Sequence, residues 1–205
     1  MLYFIRTFFV GLLIFELLNW VGILGFKLSF SWFGLIVTSL VVWGMVEFLW
    51  RKLAEMRARE KGWLLFFILL AVLVDLFGDI FRWYDVFVWY DQFAHFVGGF
   101  AASVAAVIVL RAANILPDFS VQPHLSFAMQ LFLVVSIVAL LGIAYELEEY
   151  AETIFLGNNR LGDRFDTPND LMFNTLGSII GGFITLKNVH QPFWRMVKKL
   201  LKFRK

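Results

Sequence analysis

Apolar residues run through this chain in long stretches separated by short polar segments. The stretches fall at 3–24, 29–50, 63–83, 90–111, 126–149 and 168–186. Each is near the roughly 20 residues that a helix needs to cross a bilayer core of about 30 Å. The pattern predicts an all-α fold: a polytopic integral membrane bundle of about six transmembrane helices, forming one membrane domain over 1–186. Short connections such as "GFKLS" and "RKLAEMRAREKG" join the spans. The opening "MLYFIRTFFVGLLIFELLNWVGIL" is too long for a signal-peptide core, contains Glu16, and is followed by no small-x-small cleavage site, so it is expected to be the first span. The last stretch, "KNVHQPFWRMVKKLLKFRK", is basic and amphipathic. It predicts a cytoplasmic tail over 187–205 lying on anionic lipid.

Composition sharpens this picture. The chain is 60% hydrophobic with mean hydropathy +0.77, which excludes an ordinary soluble domain. Absence of cysteine excludes disulfides, zinc–thiolate sites and cysteine nucleophiles. Lys and Arg cluster in the loop after the second span and in the tail. With six spans both lie on one side, and the excess of basic residues assigns that side, and both termini, to the cytoplasm of a cell membrane. Membrane lipid is the expected partner, and nucleic acid is not.

Acids follow a different distribution. Eleven of the 16, namely Asp75, Asp79, Asp85, Asp91, Glu146, Glu148, Glu149, Glu152, Asp163, Asp166 and Asp170, fall in the outer half, opposite only Lys27, Arg82, Arg160 and Arg164. The positive-inside bias says little about acids, so this asymmetry needs another cause.

Spacing suggests one. In "YDQFAHFVGGF", Asp91 and His95 are four apart and share a helix face that Gly98, Ala102 and Ala106 continue. Glu146 and Glu149 share a face with Gly142 and Ala139 at the end of the fifth span. Asp166 and Asp170 open the sixth, and Asn174, Gly177 and Gly181 continue the face of Asp170. Small residues permit close helix approach in lipid. Packing the three faces together would gather Asp91, His95, Glu146, Glu149, Asp166 and Asp170 near the outer boundary, with Asp75 and Asp79 joining from the third span. Carboxylates gathered in a low dielectric must take up protons, pair with Arg82 or Arg164, or hold a cation. Carboxylates with one imidazole suit Mg²⁺, Mn²⁺, Ca²⁺ or, less well, Zn²⁺. Arg164 and Asn174 are the candidate substrate-binding residues.

Simpler roles compete with these. Asp91 would also serve as an N-terminal helix acid. Asp170 reads as the third residue of a capping box "TPND", with Thr167 as cap and Pro168 first in the helix. Asp79 and Arg82 read as an ion pair, Glu148 and Glu152 as solvated, and His95 as a packing residue. Glu16 and Glu47 are intramembrane acids with no evident partner.

"YDQFAHFVGGF", "AYELEEYAE" and "GDRFDTPNDLMFNTLGSIIGG" resemble the YjdF family of uncharacterised membrane proteins and, more distantly, the VanZ-like family. The similarity covers residues 85–182: Asp91 with His95, Glu146 with Glu149, and Asp170 with Asn174 and Gly177. Tyr150, Phe165 and Pro168 depart from the pattern. The resemblance implies a helical membrane fold and, through the VanZ-like group, a link to the cell envelope. Three functions are compatible with the sequence: an envelope- or lipid-active protein with a cation site, as a hydrolase or transferase; a proton- or cation-coupled transporter using Asp75, Asp79 and Glu16; and a non-catalytic lipid-binding or assembly protein. No nucleophile motif or phosphate loop decides whether it is an enzyme.

Overall fold

The computed structural model describes residues 2–116, 126–157 and 160–187. The expected tail lies outside these, apart from Lys187. The described chain is entirely helical: α1 (Leu2–Trp20), α2 (Trp32–Lys52), α3 (Ala58–Ile80), α4 (Trp83–Val86), α5 (Tyr90–Ala112), α6 (Phe127–Leu156) and α7 (Asp166–Lys187). Five of them, α1, α2, α3, α5 and α6, are long and apolar enough to cross a membrane. The sixth long helix, α7, spans 22 residues, about 33 Å at 1.5 Å per residue. It is less apolar because Asp170, Asn174 and Ser178 occupy its buried face.

Large apolar side chains point outward along the long helices, among them Phe132, Leu140, Leu147 and Ile154 of α6. Such a surface suits lipid and would be unfavourable in water. Inside, Ile5, Phe9, Val46, Leu65, Ile68 and Val72 join α1, α2 and α3 in one apolar core. α5 sits at the centre, packed on α3, α6 and α7. The α5–α7 contact is the closest, and glycine explains why. A Cβ on Gly177 would overlap the Phe96 carbonyl, and one on Gly99 would overlap the Asn174 backbone. The expected Gly177–Gly181 face is therefore a packing face. On α5, however, the facing residues are Gly99 and Ser103, whereas nothing lies within 4 Å of a Cβ on Gly98.

Several boundaries differ from expectation. The third span ends at Ile80, and Arg82 takes a left-handed conformation (φ 57°) before the single turn of α4. This turns Arg82 away from Asp79 and onto Asp85, 2.7 Å away, so the expected Asp79–Arg82 pair does not form. α6 continues seven residues past its expected end until Gly157, at φ 68°, closes it with a left-handed cap. α7 begins at Asp166, ahead of the expected Thr167 cap; Asp163 Oδ1 accepts from Phe165 N–H just before it. Asp170 is thus inside the helix and buried, not a capping residue. At the opposite end of the bundle, Arg6 donates to both Glu47 oxygens, at 2.6 and 2.7 Å, which supplies Glu47 with a partner. Glu16 accepts from the Ser39 hydroxyl of α2 at 2.8 Å.

Candidate metal centre

The N-terminal ends of α2, α5 and α7 and the C-terminal ends of α3 and α6 meet at one end of the bundle, and most of the acids are there. His95 stands at the middle. Its Nε2 is 3.6 Å from Asp91 Oδ1, one turn away on α5, and 3.6 Å from Asp170 Oδ1 on α7. Its Nδ1 is 3.1 Å from Asn174 Nδ2. Gly142 of α6 makes room for that amide: a Cβ there would stand 3.1 Å from Asn174 Nδ2. Glu146 and Glu149 complete the group from α6.

Burial makes the arrangement unusual. Asp170 is 1% exposed, Glu146 6% and His95 8%. Asp170 Oδ1, Asp91 Oδ2 and both Glu146 oxygens have no hydrogen-bond partner among the described residues. Buried oxygens of this kind cost several kcal/mol if charged and left alone. Among the described residues, two sets have their ligand atoms within 4.8 Å of one another inside each set: Asp91, His95 and Asp170, and Glu146, Glu149 and Asp170. Ligands at about 2.0–2.6 Å from one ion can be up to about 5 Å apart, so both sets fit a hard divalent cation with little movement.

A second polar group adjoins the first and is organised by Arg160, from the α6–α7 connection. Its Nε is 3.0 Å from Glu149 Oε1, and a terminal nitrogen is 3.9 Å from Asp75 Oδ1. It donates to the Tyr145 hydroxyl at 2.5 Å and lies 4.0 Å over the Phe30 ring. Burial disfavours its charge, but Tyr145, Glu149, Asp75 and Asp79 outweigh that and hold its pKa well above the ordinary arginine value. Tyr84, on α4, donates to Asp75 at 2.8 Å; burial first, then the Asp75 charge, push its pKa well up. Asp79 accepts from the Phe30 N–H at 3.1 Å. Glu152 accepts from Ser31, whose hydroxyl also caps α2, at 3.0 Å. Glu152 is buried, contrary to the expectation that it faces water, and Glu148 is half-buried.

A cavity of about 180 Å³ connects the two groups. His95, Gly98 and Asn174 line it together with Asp75, Tyr84 and Tyr145, and short, mostly apolar side chains of α2, α3 and α5 line the rest. Gly98, expected on a packing face, belongs to this cavity.

The bundle thus brings together Asp91, His95, Glu146, Glu149, Asp170 and Asn174. It does not bring Asp166 or Arg164 to the same point. Asp166 is half-buried against Gly162, outside both ligand sets. Arg164 is exposed, with its guanidinium 4.6 Å over the Phe165 ring. The cation beside the acids is Arg160, not Arg82 or Arg164.

A family model described as "Predicted membrane protein (DUF2238)" matches residues 5–191. No curated protein and no solved structure matches. The match covers nearly the whole chain, so the chain belongs to this family of predicted membrane proteins.

Proposed function

We propose that the protein holds a divalent cation on Asp91, His95, Glu146, Glu149 and Asp170 and uses it on a lipid or cell-envelope substrate admitted through the adjoining cavity. The observation that carries this reading is the burial of Asp170 and Glu146, on different helices, with unpartnered oxygens and within one set of ligand atoms, Asp170 standing also beside His95. A bound cation offsets that charge, in place of proton uptake by every carboxylate. Mg²⁺ and Mn²⁺ suit an oxygen-rich set with one imidazole. A cation there would polarise a substrate oxygen or a bound water. The apolar part of the cavity suits an acyl chain. The resemblance to VanZ-like proteins supports an envelope role, and the basic loop after α2 supports an arrangement with the site outside and both termini in the cytoplasm.

Buried Glu16 favours a second reading, a proton- or cation-coupled carrier. It is fully buried inside α1, and its Oε2 has no partner among the described residues.

The test is elemental analysis of detergent-purified protein after equilibration with Mg²⁺ and Mn²⁺ and removal of free metal. Retained metal in the wild type and its loss in Asp170→Asn are expected. A wild type that retains none would contradict the cation reading.

A further inference from the structure

Asp170 is the one residue shared by the two ligand sets. From this, and resting on the reading that the cluster binds a divalent cation, we propose that it binds two, side by side, with Asp170 as the bridging carboxylate. One position takes Asp91 and His95 of α5, and the other takes Glu146 and Glu149 of α6. A carboxylate has two oxygens with lone pairs on both sides and can serve two ions about 3.5–4 Å apart. Asp170 is placed for that role, at the start of the central α5–α7 contact and with Oδ1 unpartnered.

Charge supports the count. Asp91, Glu146, Glu149 and Asp170 can carry four negative charges, and the adjacent cation, Arg160, is shared between Glu149 and Asp75. One divalent ion would leave a buried excess of negative charge, whereas two bring the four carboxylates to balance. Each position also has a support of its own. Asn174 contacts the ring nitrogen of His95 that faces away from the acids. Arg160 holds one oxygen of Glu149, leaving the other for an ion. Contacts of this kind orient the ligands of a metal site. The cavity beside His95 and Asn174 leaves an open side where an oxyanion could meet the ions.

The experiment titrates metal-stripped, detergent-solubilised full-length protein with Mn²⁺ alone. Bound ions are counted by elemental analysis, and electron paramagnetic resonance records whether they are magnetically coupled. The wild type is expected to bind two Mn²⁺ and to give the spectrum of a coupled pair. His95→Gln and Glu146→Gln should each retain one ion with an isolated-ion spectrum. Asp170→Asn should lose the coupled spectrum and weaken binding at both positions by at least about tenfold. A wild type with one uncoupled Mn²⁺ would overturn the paired site and leave the single-cation reading intact. A wild type with no bound Mn²⁺ would overturn both. The wild-type count and coupling decide the matter even if a variant fails to fold.

Discussion

His95 Nδ1 lies 3.1 Å from Asn174 Nδ2, and this contact governs what the other ring nitrogen can do. With the amide donating, Nδ1 is unprotonated and the proton sits on Nε2, toward Asp91 and Asp170. With the amide turned over, its oxygen accepts from Nδ1–H and the Nε2 lone pair is free for a cation. Metal binding should therefore select the second arrangement. Asn174→Leu is expected to weaken Mn²⁺ binding about 10- to 100-fold, and Asn174→Asp, which can still accept from Nδ1–H, to weaken it less. Equal affinity in Asn174→Leu and the wild type, measured by Mn²⁺ titration, would remove Asn174 from the site.

Two glycines on facing helices should respond differently. A Cβ on Gly177 meets the backbone of Phe96, which cannot turn aside, so Gly177→Ala should cost about 1–3 kcal/mol or more. A Cβ on Gly98 meets nothing within 4 Å, and alanine favours a helix by about 1 kcal/mol over glycine. Gly98→Ala should fold at least as well as the wild type while narrowing the cavity. Thermal unfolding of the two purified variants separates them.

That contrast also shows how far the sequence could be read. Five of the six long helices are legible because apolar length alone specifies a span, α7 being long but less apolar, and the Asp91–His95 and Glu146–Glu149 pairs follow from helical spacing. Which neighbouring face of α5 meets α7 was not legible, because Gly98 and Gly99 are both small and only the observed packing selects Gly99. Arg160 is not legible as the central cation because it lies in a connection, where no periodicity predicts direction. The Arg82 partner is not legible because a left-handed backbone turns the side chain from Asp79 to Asp85. Glu152 reads as solvated because the apolar stretch stops at residue 149. The helix runs on to Gly157, and Glu152 packs so close to Gly34 that a Cβ there would overlap its carboxylate.

Arg160 offers a separate test. It contacts Glu149 and Asp75, and Arg160→Gln would leave both without their cation. Removing one partner of a buried ion pair typically costs about 3–5 kcal/mol. The double variant Arg160→Gln with Glu149→Gln should recover part of that loss, since one stranded charge is gone. Denaturation of the single and double variants gives the comparison, and additive losses would deny the coupling.

Membrane orientation can be checked with single cysteines, since the chain has none of its own. Arg164 and Ala58 are both exposed, near opposite ends of the bundle. In intact cells, an impermeant thiol reagent is expected to label Arg164→Cys and to spare Ala58→Cys. Labelling of Ala58→Cys alone would reverse the orientation and place the acidic end in the cytoplasm.

The most direct measurement of the central claim is the stability of metal-stripped protein with and without a divalent cation. At a hundredfold excess over Kd, a ligand that binds only the folded state adds about 2.7 kcal/mol. The wild type is expected to gain about that much with Mn²⁺. The gain should shrink in Asp170→Asn, His95→Ala and Glu149→Gln, although these residues belong to α7, α5 and α6. A common loss across three helices is what a shared cation requires and what local helix effects cannot produce. Wild-type protein equally stable in Mn²⁺, Mg²⁺, Ca²⁺ and chelator would contradict the account and leave the polar cluster as a network that only joins helices.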